Sequence, residues 1–355
     1  MIHFSREQRK LFPRTSLFDG LYGFRTRENL MDGFENTIRA KRKRRNIIRV
    51  IVRKREAGIV LALIIMSSAI TAVAPRFASG QNFYLLSRQI SLLAIVAMGE
   101  FFAILTAGID LSVGSLIGVS GVTCGLALAA GVPPLLAILI GLATGFFAGL
   151  ITGWLVSYVG LTPFIPTLGM LSMARGVIWV ITKGWPITDI PEEFLFIGRG
   201  DVLGIPFPVI IMFVLAIVAH IVLRYTVFGR RIFAIGGNEQ ATFLSGIDVK
   251  KIKLFVYGIS GFFAAVTGII MVARFDSAQA AMGTGWELDA IASAVIGGAS
   301  LMGGAGSVLG VLIGAAIMGV IQNGLVLMKV SAYWQTLIIG GIIILAATLD
   351  RLKNK

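Results

Sequence analysis

Apolar runs of membrane-crossing length recur along residues 57–350, and they constrain this chain more than any other feature. Ten lie near 57–75, 84–107, 112–130, 135–159, 163–182, 206–224, 253–274, 288–303, 306–328 and 332–349. An α-helix needs about 20 apolar residues to cross a hydrocarbon core of ~30 Å. Hydrophobic residues make up 56% of the 355 positions and charged ones only 14%, too little charge to clothe a soluble domain of this size. The expected fold is an all-α polytopic membrane protein of about ten transmembrane helices. The fifth and eighth runs are short or interrupted by glycine and are expected to be broken or re-entrant. No cleavable signal peptide is visible, because the first apolar run begins only near Ala57 and is too long.

Charge orients this bundle. Residues 1–56 hold 16 Lys/Arg against 6 Asp/Glu, or +10 of the net +14. The densest cluster runs from Lys41 to Arg45 and resumes at Arg49, Arg53, Lys54 and Arg55. Such a cluster holds a terminus in the cytoplasm and attracts anionic lipid. On a membrane protein a nucleic-acid arm carries little weight. The expected organisation is a basic cytoplasmic extension (1–56), a transmembrane domain (57–350) containing a cytoplasmic loop (225–252), and a cytoplasmic tail (351–355). Arg230, Arg231, Lys250 and Lys251 fall in that loop and Arg351, Lys353 and Lys355 in the tail, so both termini are expected inside.

Glycines recur four apart at Gly141, Gly145, Gly149 and Gly153, and at Gly306, Gly310 and Gly314. That spacing lets helix backbones approach closely in lipid. An ordered series of likenesses also links the two halves. FFAILT from Phe101 returns as FFAAVT from Phe262. Asp110, Ile117 and Gly118 correspond to Asp289, Ile296 and Gly297. LIG at 139–141 returns at 312–314, and TPFIPTL from Thr162 resembles SAYWQTL from Ser331. The series relates spans 2–5 to spans 7–10. An offset of five spans reverses the second copy, giving an inverted repeat of the kind whose interface forms a transport pathway.

No residue pattern points to catalysis. There is no G-x-x-x-x-G-K-[ST] loop to cradle a nucleotide. His3 and His220 are far apart, and the lone Cys124 completes no zinc site. No catalytic residue, metal or cofactor is expected. Ionisable groups among apolar neighbours are costly and therefore informative. Glu100, Asp110, Arg175, Glu287 and Asp289 are such groups. They line a pathway for a hydrophilic solute, or they are structural, with Asp110 (beside Ser112) and Asp289 capping the helices that follow. Capping is the stronger reading for those two; Glu100 and Arg175 stay open. The candidate pathway set is Glu100, Asp110, Ser112, Arg175 and Asp289, with Phe164 from the TPFIPTL stretch. In the 225–252 loop, Glu239–Ser245 reads as a short helix with Asn238 as N-cap and Gly246 as its stop. Spacing alone leaves a docking element and an ordinary solvated loop equally open.

Four stretches carry a family resemblance: AILTAGIDLSVGSLIGVSG from Ala103, LTPFIPTLGMLSMARG from Leu161, AIGGNEQATFLSGIDVKKIK from Ala234, and GTGWELDAIASAVIGGASLMGGAGSVLGVLIGA from Gly283. Together they resemble the ribose-type permease subunits of bacterial carbohydrate ABC importers, from about residue 80 onward. The first fifty or so residues are longer and more basic than is usual there. The resemblance implies a bacterial inner-membrane permease that works as a homodimer. It implies an ABC ATPase on separate chains and a periplasmic sugar-binding protein as partners. It further implies that Gly237, Asn238, Glu239, Ala241, Leu244, Ser245 and Gly246 form the element coupled to the ATPase. An ion- or proton-coupled transporter of a small polar solute is the alternative, and a channel or scaffold is a third reading.

Overall fold

The computed structural model describes residues 55–353, and the basic segment before Arg55 and the last two residues lie outside it. Helix α1 (Arg55–Val73) is followed by a single 3-10 turn and by α2 (Gly80–Leu105), which starts at Ser79, whose side chain accepts from the Asn82 N–H. A non-helical link leads to α3 (Val113–Ala129), and Pro133–Pro134 starts α4 (Pro134–Trp154), which ends in a π-turn over Leu155–Val159. Then come α5 (Phe164–Thr182), a short α6 (Glu192–Arg199) and a two-residue hairpin pairing Asp201–Val202 with Ile205–Pro206. Helices α7 (Phe207–Tyr225), α8 (Val227–Gly237) and α9 (Glu239–Leu244) lead into α10 (Val249–Phe275). The chain closes with α11 (Trp286–Ile296), α12 (Val308–Leu327) and α13 (Ala332–Lys353).

Every expected apolar run contains a helix, but ten full-length spans are not observed among the described residues. Among the described residues, seven helices are long and apolar enough to cross: α1, α2, α4 with its π-turn, α5, α7, α10 and α12. At 1.5 Å per residue, α3 and α11, with 17 and 11 residues, reach only about 25 Å and 16 Å. The run at 288–303 stops at Ile296 because Gly298, Gly303, Gly304 and Gly306 all take positive φ, which ends helical geometry. The fifth run, expected to be broken, is one continuous helix. Its Pro166 sits in the first turn, where no intrahelical N–H is required.

The two halves exchange partners. The first helix of one repeat, α2, packs on α11 and α12 of the other, while α10 packs on α3 and α4. Helices α2 and α10 also cross each other where the repeat aligns them, with Gly99 against the Ser260 carbonyl and the Phe263 Cβ. Two long helices locked at repeat-equivalent positions make this crossing the centre of the bundle. Both are largely enclosed, whereas α1, α4, α5 and α7 turn apolar side chains such as Ile65, Phe147, Val180 and Ile217 outward. Such a surface belongs in lipid. The four-spaced glycines explain the closeness. Gly145, Gly149 and Gly153 lay α4 on the backbone of Gly261, Tyr257 and Leu254, and Gly310 and Gly314 seat α12 on Gly297 and Ser293. Cys124 is a buried core residue.

Candidate functional site

The α2–α10 crossing carries the most heavily buried polar chemistry among the described residues. Helix α2 ends in a turn where Ala107 has φ 58° and the Gly108 N–H returns to the Ala103 carbonyl. The chain then runs back beside Glu100, whose Oε1 accepts the Asp110 N–H at 3.0 Å. Asp110 Oδ1 accepts from the Ser112 N–H (3.0 Å) and the Ser112 hydroxyl (2.5 Å), and its Oδ2 accepts from Ser260 Oγ on α10 at 2.8 Å. Glu100, Asp110, Ser112 and Ser260 are all fully enclosed. Tyr257 lies against Gly108, where a Cβ would come within 2.5 Å of the phenol oxygen.

Glu100 Oε2 and Tyr257 Oη are buried without a hydrogen-bond partner. An orphaned buried polar atom costs about 1–3 kcal/mol. Glu100 carries one of these orphaned atoms, whereas both oxygens of Asp110 are bonded. Structurally they brace the non-helical link ahead of α3 against both long helices.

The remaining pathway candidates do not join this cluster. Arg175 on α5 donates to the carbonyls of Ala280 (2.7 Å), Met282 (3.0 Å) and Gly114 (3.5 Å), pinning the α10–α11 connection to the start of α3. Asp289 does not cap a helix. Because α11 begins at Trp286, Asp289 lies inside its first turn and accepts instead from Gln322 Nε2 on α12 at 3.0 Å. Gln322 in turn accepts from Gln89 Nε2 on α2 at 3.1 Å, so a half-buried amide chain joins three helices. Asp110 holds the N–H of Ser112, two residues on, so its bond shapes the link and leaves the α3 terminus without a side-chain cap. Phe164 opens α5 and is 59% exposed.

Sequence reasoning did not find Ser260, Tyr257, Gln89 or Gln322. The repeat alignment pointed at the first of these, since it pairs Glu100 with Gly261, next to Ser260.

The second candidate region lies between α7 and α10. Asn238 is extended, and its Oδ1 accepts the Ala241 N–H at 2.8 Å, starting α9. The helix stops where Gly246 takes φ 80° and returns its N–H to the Phe243 carbonyl at 3.0 Å. The expected cap, helix and stop are all observed, the helix ending at Leu244, one residue short of the expected Ser245. Six residues hold only because they are anchored. Thr242 is buried, and Glu239 Oε2 meets Lys253 Nζ of α10 at 2.6 Å. Phe243 and Leu244 are left 65% and 77% exposed. Two apolar side chains held outward on a rigid, capped turn suit a protein partner. Gly237, Glu239, Ala241 and Ser245 are exposed on the same turn.

The two regions touch. Gly236, at the end of α8, sits against the Leu105 carbonyl and the Gly304 N–H with no room for a Cβ. The Gly304 N–H itself donates to the Leu105 carbonyl at 3.0 Å. The end of α8 is therefore wedged between the two non-helical links, one of which runs on into Asp110.

Residues 82–347 match the family described as branched-chain amino acid transport system / permease component. Among curated proteins, the chain is similar to the ribose import permease protein RbsC of Escherichia coli K12, 43% identical over 299 residues (83% of this chain, 93% of the relative). It is 45% identical over 293 residues to RbsC of Haemophilus influenzae (81% and 90%). It is 41% identical over 300 residues to the D-allose transport system permease protein AlsC of Escherichia coli K12 (84% and 92%). No solved structure matches.

Proposed function

The chain belongs to the family of branched-chain amino acid-type transport system permease components, and on that premise we propose that it is the membrane-spanning permease of an ATP-driven importer for a small sugar. The substrate is a pentose, hexose or related polyol. The observation that carries this is the identity of 41–45%, across nine-tenths of each relative, to permeases named for ribose and D-allose. Its partners are a separate ABC ATPase, a periplasmic sugar-binding protein and a second copy of the permease. Both termini and residues 225–252 face the cytoplasm of an inner membrane, which the basic residues of that loop support.

Geometry supports a coupling route. Phe243 and Leu244 of α9 meet the ATPase, with Gly237, Asn238, Glu239, Ala241, Ser245 and Gly246 shaping and holding that surface. The Glu239–Lys253 pair and the Asn238 cap make α9 rigid, so a push on it moves α8 rather than melting the turn. Gly236 passes that displacement to the Leu105–Gly304 joint, and hence to Glu100, Asp110 and Ser112. Those buried oxygens become hydroxyl-binding groups for the sugar once the α2–α10 crossing loosens. Arg175, Asp289 and Phe164 belong to the walls on either side.

Reconstitution tests the reading. Vesicles holding this chain, its ATPase and its binding protein should accumulate ribose or a related monosaccharide only with ATP, and ionophores should leave uptake unchanged. Uptake that needs no ATP and collapses with the ion gradient would establish the ion-coupled alternative, which the relatives do not favour.

A further inference from the structure

Two grooves lie end to end along the seam where α4 packs on α10. The first, about 350 Å³, is walled only by Phe147, Leu150, Ile151, Trp154 and Leu254. The second, about 550 Å³, begins two residues further on, at Val156 and Ser157 on one side and at Lys253, next to Leu254, on the other, and it reaches Phe243 of α9. Chemistry changes sharply along this line. An apolar slot passes into a cleft that is apolar on one wall and carries Lys250 and Lys253 on the other.

Trp154 and Tyr158 mark the transition, each about half exposed. Aromatic residues of this kind settle at the head-group level of a bilayer. Lys253 is engaged by Glu239, the carboxylate of the cleft. Lys250 is exposed, forms no ion pair among the described residues, and sits over the Tyr158 ring at 5.9 Å. The seam thus offers an acyl-chain slot, an interfacial aromatic step and an uncompensated cation, in the order that a lipid presents its own parts. Basic pockets beside transmembrane helices on the cytoplasmic side bind anionic head groups.

We propose that the α4–α10 seam binds one anionic phospholipid of the cytoplasmic leaflet, with an acyl chain along Phe147–Trp154 and the phosphate at Lys250. Its head group rests beside Gln240 and Phe243, so an occupied site buttresses α9 from the membrane side. The lipid thereby stiffens the element assigned above to ATPase coupling. That assignment supplies the orientation used here. Binding measured in detergent is indifferent to sidedness, so a negative result there counts against the site and not against the transport reading.

The test is native mass spectrometry of the full chain in a neutral detergent, titrated with dioleoylphosphatidylglycerol and, separately, with zwitterionic dioleoylphosphatidylethanolamine. One phosphatidylglycerol should be retained per chain in preference to phosphatidylethanolamine. Lys250→Gln, an exposed change that leaves the fold intact, should weaken it about fivefold. Ile151→Trp, which fills the apolar slot, should weaken both lipids. Equal retention of the two lipids, or no change in Lys250→Gln, would overturn the proposal. So would displacement of the lipid on adding the ATPase, or Ile151→Trp converting a dimer to monomers, since those results assign the grooves to the ATPase or to a second copy.

Discussion

The two half-length helices occupy equivalent places in the repeat but hold opposite chemistry. Ahead of α3, Asp110 is fully enclosed and bonded to Ser112 and Ser260. At α11, Asp289 is half-buried and its carboxylate accepts from Gln322, within an amide chain reaching Gln89. One of these positions is a sealed joint and the other a more open, half-buried contact. The side chains show that only Asp110 sits at the α2–α10 crossing.

The largest effect should come from breaking the sealed copy. Asp110→Ala orphans the Ser260 hydroxyl and both the N–H and the hydroxyl of Ser112 in a fully enclosed site. At ~1–3 kcal/mol per orphaned group, a total loss of roughly 3 kcal/mol is expected after partial relaxation. Thermal denaturation in detergent should show a clearly lowered midpoint. The equivalent change at the open copy, Asp289→Ala, should cost no more than about 1 kcal/mol, because Gln322 can turn to solvent or to Gln89. Equal losses at the two sites would erase the distinction.

Next comes the turn after α9. Gly246→Val forces a β-branched residue into φ 80°, at a cost of about 1–2 kcal/mol localised to an exposed turn. Expression and thermal midpoint should barely move, while sugar uptake falls by tenfold or more. Uptake near wild type would demote the 225–252 segment to an ordinary loop. The mildest perturbation is Glu100→Gln. Its amide oxygen still accepts the Asp110 N–H, so stability should change by less than about 1 kcal/mol. Turnover should nonetheless shift, because the charge available to the loosened crossing is gone. Unchanged uptake kinetics would make Glu100 a brace alone.

Much of this architecture is legible in order along the chain. Apolar length located the spans, four-residue glycine spacing marked the close helix contacts, and Asn238 with Gly246 delimited α9 because capping is local chemistry. What escaped depends on distance or on termini. The bond from Asp110 to Ser260 spans 150 residues, and nothing local in VYGISGFF announces it. The glycine-interrupted eighth run was expected to break and does, whereas the shortness of α3 escaped because hydropathy reports apolarity and not where a backbone stops turning. Four left-handed glycines after Ile296 end α11 while the sequence stays apolar. Asp289 was misread for a related reason: its helix starts two residues earlier than the apolar run, which moves it from cap to first turn.

In the proposed coupling route, α9 transmits the work of a separate ATPase to the sealed joint. This route is tested most directly by measuring sugar uptake and binding-protein-stimulated ATP hydrolysis in the same proteoliposomes carrying Leu244→Asp. This change touches only a side chain that is 77% exposed on α9. The account predicts that the variant inserts and folds normally, yet loses uptake and stimulated hydrolysis together, each by tenfold or more. Uptake and hydrolysis that both stay near wild type would contradict it.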